Sequence, residues 1–245
     1  MTRTRAVTVR GWSSGRSVRR CRETVPGNVE TVDRFNSLDI PESLQEVLEP
    51  ARLAFVVYDM QVGILAQIAR GPEVLHKIRR LLAIARQQRV RTVFMRHYFM
   101  PPELAGVYQL RQAKTWQGKE RAAETHPLIS FGSSGFQLAE GLEPQPTEAV
   151  FDKITMSAFE GTPLDIVLRD CGVRAYLIAG VATEVGIEPT VRHSTDLGFI
   201  PVVVTDACGA GDEAAGRRAL ENLAFAGDAI LADTDEVCTL LASAG

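Results

Sequence analysis

Cysteine is scarce and scattered: Cys21, Cys171, Cys208 and Cys238 are the only four in 245 residues. No two share a CxxC spacing, which argues against a zinc knuckle or a disulfide framework and fits a reducing cytoplasm. Histidine is equally thin, with His76, His97, His126 and His193 dispersed along the chain. No apolar run approaches the ~18 residues that span a bilayer, so no membrane role is expected. Acid is missing from residues 1–22, which hold seven arginines; removing those charges from the net −3 leaves −10 on the remainder. A body this acidic is a poor match for a phosphate backbone, and no nucleic-acid partner is expected.

Residues 1–30 also lack apolar periodicity and read as a disordered basic N-terminal extension ahead of one domain, 31–245. A basic arm touching nucleic acid has no aromatic or motif support and an organellar presequence is allowed by composition alone, so a plain extension or an early-assigned translation start is the preferred reading. The absence of an apolar h-region rejects a secretory signal. The chain as a whole is 45% hydrophobic, enough to bury a full core. Strand and helix signals alternate from about residue 50. Apolar, β-branched runs at Leu53–Tyr58, Thr92–Met95, Ala149–Phe151, Ala175–Ala179, Ile200–Val204 and Ala229–Leu231 read as six strands. Helices are expected from Pro72, from Thr162–Pro163 to Leu168, across Pro189–Leu197 and Asp212–Ala224, and from Asp235 to Leu241. From Tyr98 to Pro146 the pattern weakens into a long irregular excursion with room for short helices. The expected fold is α/β: a single-domain three-layer α/β/α arrangement around a mainly parallel, six-stranded Rossmann-like sheet.

In such a sheet ligands bind beyond the carboxyl ends of the strands. The residues at those ends are Asp59, then Arg96 and His97, then Lys153, then Gly180–Gly186, and finally Asp206. These are expected to converge. Burial after four apolar residues disfavours the Asp59 charge, and a nearby Lys153 pulls the other way. Spacing leaves open whether the two form a tuned proton donor or acceptor, a structural ion pair, or a helix cap.

Three segments carry a family resemblance. Asp59-Met60-Gln61 is similar to the Asp-x-Gln element of the isochorismatase-like hydrolases, and Lys153-Ile154-Thr155-Met156-Ser157-Ala158-Phe159 resembles their lysine element. Gly180-Val181-Ala182-Thr183 resembles the turn that in this family often holds a non-proline cis peptide, and the likeness runs from roughly Arg52 to Leu231. Most members carry a nucleophilic cysteine at the position of Gly186; this chain resembles the true isochorismatases in having glycine there. Those enzymes are similar in using the aspartate to protonate an enol-ether carbon, with water as the attacking group. They usually have histidine two positions before the glycine, where this chain has Glu184.

The resemblance therefore implies a hydrolase in which Asp59, Lys153 and the Gly186 position form the catalytic set. An enol ether of the isochorismate kind is the first substrate expectation; the alternatives are amide hydrolysis by water or another nucleophile such as Cys208, and a catalytically silent metabolite binder. Substrate contacts are expected from Gln61, His97, Val181, Ala182 and Glu184, and from Arg111 and Trp116 in the long excursion. Ser157 and Thr162 are expected to cap or orient the lysine turn, and His193 to be buried and hydrogen-bonded. Nicotinamidase-type relatives hold a metal through an aspartate and two histidines; without an Asp-x-His pattern, no metal or other cofactor is expected. The resemblance also implies a homo-oligomer, dimer or tetramer.

Overall fold

The six apolar runs become six parallel strands in the computed structural model, which describes residues 32–244. The basic extension expected over residues 1–30 lies outside the described residues. Asp33–Phe35 (β1) and Leu38–Ile40 (β2) form a small antiparallel hairpin of their own. It turns through Asn36 and Ser37, at φ 49° and 64°, as a two-residue hairpin requires.

The body begins at Pro41. Ser43 and Glu46 close a capping box on a short helix, Leu44–Val47 (α1). The strands are Leu53–Tyr58 (β3), Arg91–His97 (β4), Ala149–Lys153 (β5), Ala175–Val181 (β6), Ile200–Gly209 (β7) and Ile230–Ala232 (β8), in the order β5-β4-β3-β6-β7-β8. The chain builds outward from β3 to β5, then crosses back to place β6 on the other side of β3. The reversal of strand order thus falls between β3 and β6, and the carboxyl ends of these strands are where such sheets bind ligands.

Strand alternation sends side chains to two cores. Phe55, Val57, Phe94, Leu177, Val202 and Val204 join one face with the buried stripes of Gly71–Gln87 (α3) and Thr234–Ser243 (α8). Val56, Tyr58, Met95, Tyr176 and Ile178 join the other with Leu164–Asp170 (α5), Glu188–Asp196 (α6) and Glu213–Ala226 (α7). Val62–Leu65 (α2) comes directly after β3. Among the described residues no helix is long and apolar enough to cross a membrane.

Three local expectations change. The excursion after Tyr98 contains an eleven-residue helix, Val107–Gln117 (α4), ended by Gly118 in the left-handed conformation. Ala113 is its only buried residue, so it carries no apolar period to detect. β7 does not stop before Asp206 but runs on to Gly209, with an irregular register against β6 between Ile178 and Gly180. The helix expected across Pro189–Leu197 is extended at its start by one π-helical turn, Thr183–Ile187, ahead of α6.

Candidate active site

Adjacent residues on a strand point to opposite faces, and this sorts the charges at the ends of β4 and β5. The register pairs Arg96 with Asp152 and His97 with Lys153. Arg96 lies on one side of the sheet, bonded to Asp152 through Nε and Nη2 at 2.7 and 3.1 Å and stacked 4.3 Å from the Phe136 ring centroid. His97 and Lys153 lie on the face that carries Tyr58 and Met95. The expected convergence thus holds for His97 and Lys153 but not for Arg96. Asp206 also lies elsewhere, since β7 continues past it; it accepts from Thr234 N and Oγ1 at 2.8 Å and pairs with Lys77 at 2.9 Å.

Asp59 breaks the strand pattern. Its φ is 49°, a left-handed conformation that costs an L-residue roughly 1–2 kcal/mol. Its N–H still donates to Met95 O at 3.1 Å, and its carbonyl accepts from Gln61 N at 2.8 Å. The kink frees the carboxylate from the β3 alternation. Lys153 comes from two strands away, roughly 10 Å at ordinary strand spacing. Its ammonium passes 4.3 Å over the Tyr58 ring centroid, donates to Asp59 Oδ2 at 2.7 Å and to Thr155 O at 3.2 Å. The lysine side chain is 0% exposed and the aspartate side chain 7%.

Burial raises the Asp59 pKa above its ordinary value, with the Lys153 charge and hydrogen bond pulling it back. Burial likewise lowers the Lys153 pKa, opposed by Asp59. Desolvation therefore leads on both partners and favours a protonated carboxyl more than free solution does. Asp59 Oδ1 is buried without a hydrogen-bond partner, so one carboxyl oxygen is positioned by lysine and the other is open to a ligand.

His97 is the second orphan. Neither ring nitrogen has a partner, and the ring meets Phe99 edge-on at 4.9 Å. Burial, then the Lys153 charge, pushes its pKa down to about 3, against the pull of the Thr155 backbone, which approaches the ring without meeting hydrogen-bond geometry. A neutral imidazole with one donor and one acceptor thus stands beside the ion pair.

The turn after β6 has its Val181–Ala182 peptide in the cis form. Gly180 before it, at φ 144°, faces β3 so closely that a Cβ would fall within 2.9 Å of Tyr58 N; only glycine fits. Gly186 is different, because its φ is ordinary. A Cβ there would fall within 2.6 Å of Tyr58 Cζ and nearer still to Cε1 and Oη. The Gly186 N–H donates to Ala182 O at 2.9 Å, so it is not available to a ligand. N–H groups at the start of a helical turn lack partners within it, which leaves Thr183–Val185 as the candidate donors.

Other expected contacts are reassigned by their geometry. Gln61 is a brace: its Oε1 accepts from His97 N at 2.6 Å, and its Nε2 donates to His97 O at 2.9 Å and Phe136 O at 3.0 Å. Both amide hydrogens are used and the residue is fully buried, so the side chain braces the site from within. Val181 buries its side chain in the core, which leaves only its backbone for a ligand contact. Ala182 uses its carbonyl within the turn, accepting from Gly186 and Ile187. Glu184 Oε1 accepts from Gly211 N and Asp212 N at 2.8 and 3.0 Å, tying the turn to the start of α7, while its Oε2 is buried and unpartnered. Arg111 is exposed on α4 and contributes to neither the hydrogen bonds nor the charge environment of Asp59. Trp116 is 43% exposed but meets Phe99, whose ring meets His97, so an aromatic ladder leads from the surface to the pair.

The lysine turn is held as expected. Thr162 Oγ1 donates to Ala158 O at 2.6 Å and accepts from Leu164 N at 3.2 Å. Ser157 Oγ bonds half-buried His193 Nδ1 at 2.9 Å. Two participants escape sequence reasoning. Tyr58 donates its hydroxyl to Met156 O. Thr190 donates to Gly186 O at 2.7 Å and accepts from Ala158 N at 3.0 Å. Both sit inside ordinary apolar or helical patterns that give no sign of a polar role. Cys208, the alternative nucleophile, is buried, its thiol donates to Val204 O at 3.2 Å, and burial pushes its pKa up to about 12, a setting that disfavours the thiolate.

A buried Asp–Lys pair at the strand ends of a three-layer α/β/α fold, next to a cis-peptide turn, defines the class, and comparison with known proteins names it. The Isochorismatase domain model matches residues 53–236, and the chain belongs to that family. Ureidoacrylate amidohydrolase RutB of Pseudomonas syringae pv. syringae (strain B728a) is 31% identical over 225 residues, 84% of this chain and 89% of that protein. Its counterpart in Pseudomonas savastanoi pv. phaseolicola is 30% identical over the same shares. Among solved structures, a cysteine hydrolase from Pseudomonas syringae pv. phaseolicola 1448A superposes at TM-score 0.70 with 22% identity, over 89% of this chain and all of that one. An isochorismatase family protein from Burkholderia thailandensis gives 0.65 and 25%, over 78% and 96%. The chain is a hydrolase of this family.

Proposed function

We propose that this hydrolase acts on a small molecule without a protein nucleophile: Asp59 is the general acid/base, Lys153 its charge partner, and water the attacking group. The observation that carries this reading is a buried carboxyl with one oxygen fixed by lysine at 2.7 Å and the other unpartnered. Next to it the turn offers a glycine in place of any reactive side chain. An enol ether of the isochorismate kind suits the arrangement best, because its first step needs an acid rather than a nucleophile. Protonated Asp59 gives its proton to the vinyl carbon, and the ether oxygen then shares the positive charge. Water adds to the oxygen-bearing carbon and returns a proton to Asp59, and the adduct breaks into a ketone and an alcohol. Burial supports the acid by raising its pKa. Neutral His97 and the N–H groups of Thr183–Val185 are the proposed contacts for substrate oxygens.

A second reading is favoured by one observation, the name of the two relatives at 31% and 30% identity, both ureidoacrylate amidohydrolases. On that reading ionised Asp59 takes a proton from water, hydroxide adds to the amide carbon, and Asp59 hands the proton to the departing nitrogen. Incubation with isochorismate and with small ureido amides, read by mass spectrometry of the products, separates the two. The pH profile separates them independently: an acid loses activity as pH rises through the raised Asp59 pKa, and a base gains it. Turnover at a near-normal rate in Asp59→Ala overturns both.

A further inference from the structure

Tyr58 precedes Asp59, is only 1% exposed, and makes three contacts that bear on the site. Its ring lies 4.3 Å beneath the Lys153 ammonium, an arrangement that favours a desolvated cation. Its hydroxyl donates to Met156 O, which pins the segment after Lys153. Its Cε1, Cζ and Oη fill the volume into which a side chain at position 186 would project, the Cζ at 2.6 Å from the Cβ position. Nothing in the backbone calls for glycine there, since the φ of Gly186 lies outside the left-handed region. Thr190 fixes the Gly186 carbonyl at 2.7 Å, so the turn cannot easily back away. With Tyr58 in this place, position 186 has no room for a side chain.

We infer that Tyr58 and Gly186 form one matched pair and that Tyr58 is a specificity-determining residue. The phenol occupies the place of a side-chain nucleophile, gives the ammonium an aromatic floor, and leaves solvent water as the attacking group. This rests on the reading of Asp59 as the proton-transfer group, but the pairing itself is testable without turnover. Interiors packed at crystal density do not accept an added atom in this position cheaply.

The test compares the wild type with G186C, Y58V, Y58V/G186C and Y58F/G186C. G186C alone is expected to lower Tm by roughly 5–10 °C. Y58V/G186C is expected to sit well above the sum of the two single losses, whereas Y58F/G186C, which keeps the ring, is not rescued. Iodoacetamide followed by peptide mapping reads the introduced thiol separately from the four native cysteines, Cys21, Cys171, Cys208 and Cys238. Its alkylation is expected at least tenfold faster in Y58V/G186C than in G186C. Additive Tm losses, rescue by Y58F, or equal alkylation rates overturn the pairing. Should Y58V/G186C fail to fold, the G186A and Y58L/G186A pair supplies the same comparison with a smaller added group. Failure of Asp59→Ala to reduce turnover removes the catalytic reading but does not alter these results.

Discussion

Asp152 and Lys153 are neighbours in the chain, yet each joins an ion pair on a different side of the sheet. Arg96–Asp152 has side chains 22% and 28% exposed and two hydrogen bonds between them. Lys153–Asp59 has 0% and 7%, and one carboxyl oxygen without a partner. The outer pair is saturated and partly solvated, which is how a structural ion pair looks. The inner pair has been taken out of water without being fully satisfied, at a residue with a left-handed backbone. Incomplete satisfaction at a strained position is where ligands are expected to act. Acid–base pairs are thus sorted into support and site by the pleat of one strand.

The largest expected effect breaks that comparison on activity. Asp59→Asn keeps the shape of the carboxyl but removes its acid/base capacity, and kcat/KM is expected to fall by about 10³-fold or more. Asp152→Asn is expected to change it less than about threefold. Comparable losses would place both carboxylates in the same role and remove the distinction drawn from burial.

On stability the order is the same. Lys153→Met leaves the Asp59 carboxylate buried beside no cation, which typically costs about 3–5 kcal/mol, less whatever is recovered by protonating Asp59. Arg96→Met leaves Asp152 partly in water and is expected to cost about 1 kcal/mol. Urea unfolding at neutral pH measures both. Lowering the pH should relieve Lys153→Met, because protonation neutralises the stranded carboxylate, and should leave Arg96→Met nearly unaffected.

The strands, their parallel arrangement and the charged residues at their ends are legible in the sequence because a buried parallel strand is a short apolar run, and a charged residue at its end stands out. The strand order is not, and the pairing of Asp59 with Lys153 is singled out by the family resemblance rather than by spacing. The sides of the sheet are harder. Arg96 and His97, or Asp152 and Lys153, are equivalent in a sequence until the register fixes which one faces Tyr58. The Asp59 kink has no marker, since nothing in Tyr58-Asp59-Met60 requires a positive φ. Asp206 is misplaced by periodicity because β7 passes through it to Gly209, carrying polar residues inside a strand whose apolar run ends at Val204. Gln61 is recognisable as important, but an amide has both donor and acceptor capacity, and only the folded chain shows it turned to the His97 and Phe136 backbone. Tyr58 is hidden by belonging to the apolar run, where an aromatic ring reads as core.

His97 sharpens the comparison on the inner side alone. Its folded pKa is pushed down to about 3 by burial and the Lys153 charge, against roughly 6.5 in an unfolded chain. The unfolded chain therefore takes up a proton below about pH 6.5 that the folded protein refuses, and stability drops as pH falls. The slope approaches about 1.4 kcal/mol per unit, or about 2 kcal/mol between pH 7 and pH 5. His97→Phe is expected to remove that part of the acid destabilisation, seen by urea unfolding at the two pH values. An unchanged difference would mean that the imidazole already accepts a proton in the folded state, so that it could not serve as a neutral contact beside the pair.

The smallest effect tests the outer pair directly. A double-mutant cycle on Arg96→Met and Asp152→Asn is expected to yield a coupling of about 0.5–1 kcal/mol. It should shrink further in 1 M salt, where the screening length falls to roughly 3 Å. The corresponding cycle on Lys153→Met and Asp59→Asn should give a larger coupling that salt hardly changes, because ions do not reach groups 0% and 7% exposed. The salt dependence matters more than the size. A buried pair and a surface pair of equal strength would still respond differently, and equal responses would mean that solvent reaches Asp59 and Lys153 as freely as Arg96 and Asp152. The raised pKa and the dry proton transfer proposed for Asp59 would then lose their physical basis together.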